Sequence, residues 1–138
     1  MIRPETPAMT PSVRLRLAAV LGFLAVAFGA FGAHGLESRL DAQHLQTFET
    51  GVRYQMFHAL ALLGTALLAA DEKRSKAVGI AAWSFVVGCL FFSGSLYALA
   101  LGGPKWLGMV APIGGVAFMV GWAALIAASP IASRRPNE

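Results

Sequence analysis

Long uncharged apolar runs restrict what this chain can fold into more than any other feature. Residues 17–33, 77–101 and 107–128 contain no Asp, Glu, Lys or Arg. A helix that crosses a membrane needs about 20 mostly apolar residues, and each of these runs is near that length. Only 13% of the residues are charged, against about a quarter in soluble domains. The chain is therefore predicted to lie mainly in lipid.

The number of apolar stretches determines the predicted fold class. A fourth stretch follows Gly51 and becomes strongly apolar after His58. We predict one all-α integral membrane domain, residues 13–129, built as an up-and-down four-helix bundle. Its spans are predicted at about residues 14–34, 52–70, 77–101 and 107–128. Residues 1–12, with three prolines, are predicted to be a disordered tail, and residues 130–138 a basic tail.

A cleaved signal peptide is the alternative interpretation of the first apolar run. The basic start at Arg14 and Arg16, the apolar core and the small residues near Ala33 all fit such a segment. However, the apolar core is longer than usual for a leader. Small residues also recur at spacings of three and four, as expected for a helix that packs in lipid. These are Ala18, Gly22, Ala25, Gly29 and Gly32.

A polar segment separates the first two predicted spans. Within it Leu45, Phe48 and Val52 recur at helical spacing, while the intervening positions are polar. This pattern predicts a short external amphipathic helix that lies near the membrane surface or runs into the second span. Asp41 precedes it and is a candidate N-cap.

The other connectors are short. The charged stretch DEKRSK, residues 71–76, has a length that suits an antiparallel helix hairpin. The sequence GGPKW, residues 102–106, predicts a tight turn. Pro112 predicts either a kink in the fourth span or the start of its regular helix.

The distribution of Lys and Arg predicts the orientation in the membrane. Eight of the 11 basic residues lie in the two tails and the middle connector, which share one side if there are four spans. Three lie on the opposite side: Arg39, Arg53 and Lys105. Both termini are therefore predicted to be cytoplasmic, in a multi-pass membrane protein.

The candidate polar intramembrane site is on the second span. Tyr54, Gln55 and His58 lie within two turns of each other, and ionisable groups inside a membrane are costly and often functional. The functional interpretation of His58 is proton handling or ligand binding. The structural interpretation is an interhelical hydrogen bond. We favour the structural one, because no second intramembrane acid or base accompanies His58.

Glu49 and Arg53 form the candidate external charged pair. They are spaced i, i+4 with the acid first, which is the favourable order on a helix. The simpler interpretation is an ion pair at the solvent edge, and the functional one is a charged vestibule in which Arg53 meets a lipid phosphate or an anionic solute. We favour the simpler one.

No pattern for catalysis, cofactor binding or metal binding is present in the sequence. It contains no P-loop, no HExxH and no GxSxG motif, so we predict no enzyme and no cofactor. His34, His44 and His58 lack the spacing of a metal motif, so we predict no metal site. Cys89 is the only cysteine, which excludes an intrachain disulfide. The basic residues are scattered at predicted membrane boundaries, so nucleic acid is not an expected partner.

Four blocks of sequence resemble a known family. They are GAFGAHGL (29–36), TGVRYQMFHALALL (50–63), FSGSLYAL (92–99) and PIGGVAFMVGW (112–122). The chain resembles the small bacterial inner-membrane proteins called domain of unknown function 423, which are similar to the eukaryotic transmembrane protein 256. The resemblance implies a four-span membrane protein without an established activity. It also marks the positions at which a role common to the family members would be sought. They are His34, Tyr54, Gln55, His58, Ser95, Tyr97, Pro112, Gly114 and Gly115.

Three hypotheses about function remain at this point. The first is a membrane protein without enzymatic activity that acts by helix–helix association, as an accessory or assembly factor, with the lipid bilayer around it and another membrane protein or its own copies as partner. The alternative is a small oligomeric transporter or channel that uses the polar face of span two. A weaker third hypothesis makes the histidines ligands of haem.

Overall fold

The computed structural model describes residues 9–68 and 75–129, and all regular secondary structure within these ranges is helical. The first half contains α1 (Pro11–Phe31), a π-helical turn (Gly32–Leu36) and α2 (Ala42–Leu67). The second half contains α3 (Ser75–Gly88), a π-helical turn (Cys89–Ser93), α4 (Gly94–Ala100), a 3₁₀ turn (Lys105–Met109) and α5 (Ala111–Ala128). Since α3, the π-helical turn and α4 are continuous, the described residues form four helical rods.

The first helix begins earlier than the predicted end of the tail. The Thr10 hydroxyl accepts a hydrogen bond from the Val13 N–H, and Pro11 occupies the first turn, where its missing N–H costs nothing. Met9 is buried in the main apolar core. The prediction of a tail up to residue 12 is therefore wrong for residues 9–12. Residues 1–8 and 130–138 lie outside the described ranges.

The predicted external helix is not a separate element, because α2 runs without a break from Ala42 to Leu67. Asp41 caps its N-terminus, as predicted, and accepts a hydrogen bond from the His44 N–H at 2.9 Å. Gly51 lies within this continuous helix. A Cβ atom there would lie 2.8 Å from Cε1 of Tyr97, so the glycine allows that ring to pack against the backbone of α2.

Three helical stretches in the described residues are long and apolar enough to cross a membrane. They are Pro11–Leu36, Lys76–Ala100 and Lys105–Ala128. The predicted second span, residues 52–70, does not qualify by length and composition, since polar side chains occupy much of α2. Positions 69 and 70 of that span lie outside the described ranges.

Each helix pair packs through small residues. The rod α1 packs along α2, α3 packs along α5, and α2 joins the two pairs through α3 and α4. Added Cβ atoms at Gly114 and Gly121 would overlap Phe92 and Phe85. These glycines therefore bring α5 against the α3–α4 rod. The small residues at these two positions are thus used inside the chain.

The connection to the last rod agrees with the predicted turn. Gly102 has a φ of 90°, a conformation that a side chain would disfavour, and Pro104 is extended. The regular part of α5 begins at Ala111, so Pro112 lies in its first turn. Pro112 therefore starts a helix without kinking one.

Gly114 and Gly64 provide a matched test of this packing. In Gly114→Ala the new Cβ meets backbone atoms of Phe92, so we expect a loss of about 1–3 kcal/mol in the free energy of unfolding. In Gly64→Ala the Cβ meets nothing within 4 Å, so the stability should be unchanged or higher by about 0.4–1 kcal/mol. Unfolding in mixed micelles with increasing SDS measures both. Equal losses for the two variants would contradict the packing described here.

Candidate functional site

The predicted polar residues Tyr54, Gln55 and His58 lie at the middle of α2, where it contacts the other three rods. Gln55 and His58 are buried, with 4% and 5% of their surfaces exposed, whereas Tyr54 is 40% exposed. Gln55 faces α1 and α4, and His58 faces α5. The three residues therefore contribute to two separate polar clusters and do not form one open site.

Both ring nitrogens of His58 have hydrogen-bond partners. Its Nδ1 lies 2.7 Å from the backbone oxygen of Tyr54, and Nε1 of Trp122 donates to its Nε2 at 3.2 Å. A carbonyl oxygen only accepts and an indole N–H only donates. The geometry therefore requires Nδ1 to carry the proton and Nε2 to be the acceptor. This arrangement is that of a neutral imidazole tying α2 to α5.

Aromatic rings enclose the His58 imidazole. The Phe118 ring stacks on it with ring centres 3.5 Å apart and an angle of 8° between the planes. Phe85 and Trp122 flank it at 5.6 and 6.1 Å. Trp122 is thus a partner of His58 as well as a half-exposed residue of α5. The surroundings of the imidazole are apolar apart from its two hydrogen bonds.

The second cluster is centred on Gln55. Its Nε2 donates to the backbone oxygen of Leu21 on α1 at 2.8 Å. The Tyr97 hydroxyl of α4 donates to its Oε1, also at 2.8 Å. One amide side chain therefore links three rods, and each of its polar atoms has a partner. Buried polar groups in an apolar environment require such partners.

A third link joins α2 to the π-helical turn of the second half. The Ser93 hydroxyl donates to the backbone oxygen of Gly51 at 2.8 Å, close to where Tyr97 packs on the same glycine. Ser95, the predicted candidate, donates instead to the Phe92 oxygen of its own rod. The cross-helix role therefore belongs to Ser93, whose position at the end of the π-helical turn brings it against α2.

Arg14 has a role that the sequence did not reveal. It is counted among the basic residues that set orientation, yet only 3% of its surface is exposed. Its Nη1 donates to the Thr65 oxygen at 3.1 Å, near the C-terminal end of α2. A cation is favourable there because of the helix dipole. Nε of Arg14 is buried without a hydrogen-bond partner.

The predicted ion pair between Glu49 and Arg53 does not form. The one salt bridge among the described residues joins His44 to Asp41. Glu49 and Arg53 are both exposed, and both line a cavity of about 230 Å³ between α1 and α2.

The remaining histidines lie outside these clusters. His34 is exposed on the π-helical turn that follows α1. His44 donates its backbone N–H to the Asp41 carboxylate and has a ring nitrogen 2.7 Å from it. These two hydrogen bonds lower the pKa of Asp41, so the cap is lost only as the pH falls through that lowered value. Within residues 9–68 and 75–129, no three His, Cys, Asp or Glu side chains converge as metal ligands do.

Comparison with known proteins gives the family. The sequence profile described as "Protein of unknown function (DUF423)" matches residues 28–115, which include α2 and both π-helical turns. The chain belongs to the DUF423 family. The resemblance noted in the sequence is thereby confirmed.

Curated members of the family match over most of their length. The Bacillus subtilis UPF0382 membrane protein YwdK is 43% identical over 113 residues, covering 82% of this chain and 92% of that protein. A Haemophilus influenzae UPF0382 membrane protein is 44% identical, covering 80% and 88%. The Escherichia coli UPF0382 inner membrane protein YgdD is 43% identical, covering 86% and 89%. No solved structure matches.

The names of the relatives do not specify a reaction for the site described above. Its members are named as membrane proteins, and the profile is described as one of unknown function. Sequence reasoning located Gln55 and His58 but not their partners Leu21 and Trp122, nor the roles of Ser93 and Arg14. Trp122 lies 64 residues from His58 in the chain, and no local pattern connects positions so far apart.

A double-mutant cycle tests the central hydrogen bond of the DUF423 protein. Tyr97→Phe removes the donor to Gln55 Oε1, and Gln55→Leu removes the acceptor. We expect a coupling of about 0.6–1.7 kcal/mol in the free energy of unfolding, the range found for polar contacts between membrane helices. Denaturation in mixed micelles measures it.

Tyr54→Phe is the matched control for this cycle. The Tyr54 hydroxyl donates to no protein group among the described residues, and the side chain is 40% exposed. Its loss should change the stability by less than about 0.5 kcal/mol. A coupling near zero between Gln55 and Tyr97 would show that the hydrogen bond contributes nothing to the fold.

Proposed function

We propose that this chain is a multi-pass protein of the bacterial inner membrane in which α2 forms a fourth span at the centre of an up-and-down bundle. Three other helical stretches are apolar and long enough to cross, and relatives are named membrane or inner membrane proteins. Gln55 and His58 of α2 are buried, face the other rods and are hydrogen-bonded there. This burial supports a span in spite of its polar composition.

Both termini are proposed to lie in the cytoplasm. The terminal segments and the middle connector hold eight basic residues, and the connectors on the opposite side hold three. Fusions of alkaline phosphatase at residue 138 should therefore be inactive, and fusions inserted at Arg39 should be active. The reverse pattern of activity would overturn this orientation.

The proposed role is that of an accessory or assembly factor that acts through helix contacts and not through catalysis. The observation that carries this proposal is the distribution of polar and apolar groups. Gln55, His58, Thr65, Ser93 and Tyr97 all make hydrogen bonds within the chain. Large apolar side chains instead cover the outer faces of α1 and α5. They include Val20, Phe23, Val26, Val116, Met119 and Ile126.

The geometry does not favour the transporter alternative. A proton or solute path along span two would need polar groups that are free to bind and release. Both nitrogens of His58 are already bonded, and the ring is enclosed by Phe118, Phe85 and Trp122. Binding of haem iron would likewise require His58 to give up one of its two hydrogen bonds.

Photo-crosslinking in intact cells tests the proposed association. A photoreactive residue at Val20 on α1, or at Met119 on α5, is exposed on an outer face, with 54% and 71% of the native side chains accessible. One of the two should give a discrete adduct with another membrane protein or a second copy. The control position is Leu62, which is fully buried and should give no intermolecular adduct. Absence of protein adducts at both outer positions would contradict the proposal.

A further inference from the structure

Two separate cavities lie along the contact between α1 and α2, and we treat them as one groove. Its apolar part has a volume of about 430 Å³ and includes Leu15, Gly22, Val26, Met56 and Leu63. Its polar end is the 230 Å³ cavity that includes Gly29, Glu49 and Arg53. We call the two together the α1–α2 groove.

Helical spacing connects lining positions of the two cavities. On α2 the lining positions are spaced by four, three, four and three residues, which places them on one face. They are Glu49, Arg53, Met56, Leu60 and Leu63. On α1 the same spacing connects Leu15, Ala19, Gly22, Val26 and Gly29. From Leu15 to Gly29 the groove is about 21 Å long at 1.5 Å per residue.

The charges lie about one hydrocarbon thickness from Arg14 along α1. Gly32, which lines the cavity with Glu49 and Arg53, is 18 residues beyond the buried Arg14, and hence about 27 Å along α1. This distance is close to the hydrocarbon thickness of a bilayer, about 30 Å. If Arg14 marks one boundary, Glu49 and Arg53 mark the other. This step depends on the proposed membrane insertion of the chain.

Two opposite charges at one end of an apolar groove match a zwitterionic lipid. Glu49 and Arg53 make no ion pair with each other or with other described residues. A guanidinium binds a phosphate well, and a carboxylate binds a primary ammonium. Phe28 and Phe48 also line the polar cavity, and aromatic rings attract ammonium groups.

We propose that the α1–α2 groove binds one phosphatidylethanolamine molecule. Arg53 holds its phosphate, Glu49 its ammonium, and an acyl chain lies along Gly22 between α1 and α2. The lipid supplies a partner for each charge and an apolar chain of matching character.

Native mass spectrometry of the protein from nanodiscs with equal amounts of phosphatidylethanolamine and phosphatidylglycerol tests this proposal. The wild type should retain one phosphatidylethanolamine. Gly22→Leu places a side chain in the apolar groove without a backbone clash, because a Cβ there meets nothing within 4 Å. Arg53→Gln removes the phosphate partner. Each should lower retention about tenfold, the effect of losing one charge-assisted contact or an equivalent apolar one.

Matched controls separate the groove from general effects on the protein. Gly64→Leu also introduces a side chain into open space, but Gly64 does not line the groove. Arg39→Gln removes an exposed arginine on the same side as Arg53. Both should retain lipid like the wild type. Glu49→Gln should reduce the preference for phosphatidylethanolamine over phosphatidylglycerol, since only the former carries an ammonium.

The outcomes distinguish the groove from the other proposals. Equal lipid retention in all variants would overturn the lipid proposal. The lipid proposal would also be overturned if the protein forms a dimer and Gly22→Leu abolishes that dimer without changing lipid retention. A second copy would then occupy the groove. Failure of the membrane proposal would appear separately, as release of the chain from membranes by alkaline carbonate. The crosslinking positions Val20 and Met119 lie outside the groove, so the association test is independent.

Discussion

Polar groups within an apolar set of helices need hydrogen-bond partners, because an unpaired one costs several kcal/mol in a medium without water. The arrangement of this protein depends on how α2 meets that requirement. Gln55 bonds to α1 and α4, and His58 bonds to α5. The Gly51 carbonyl accepts from Ser93. These contacts give α2 a defined position against each of its neighbours. Purely apolar packing would define that position less specifically.

Two backbone features bring the partners within reach. Gly51 removes the side chain that would keep Tyr97 away from α2, so the Tyr97 hydroxyl can reach Gln55. The π-helical turn at Cys89–Ser93 places Ser93 against α2 and Phe92 against α5 at Gly114. The hydrogen bonds and the close helix contacts therefore depend on each other. A site assembled in this way holds helices together.

The sequence predicts much of this architecture because lipid imposes simple patterns. Apolar runs of about 20 residues locate three rods, and the Gly102–Pro104 turn and the Asp41 cap follow from local chemistry. The sequence leaves open whether the amphipathic helix lies at the membrane surface or runs into span two; in the structure α2 continues through Gly51, and the ring of Tyr97 from a distant segment packs there. The same limit applies to Trp122 and His58. Conversely, the spacing of Glu49 and Arg53 predicts an ion pair, but the two side chains form none and instead line the cavity between α1 and α2.

The state of the His58 imidazole in a bilayer tests the account most directly. Solid-state NMR of the protein in lipid vesicles, with ¹⁵N-labelled histidine and tryptophan, reports the tautomer of His58 and its proximity to the Trp122 indole. We predict a neutral ring that is protonated on Nδ1 and in contact with Trp122 Nε1–H. The N–H protons of both rings should exchange slowly with D₂O. A ring that exchanges rapidly, or one protonated on Nε2, would contradict it. His58 would then face water, and span two would be expected to line a path for protons or solutes instead of holding the helices together.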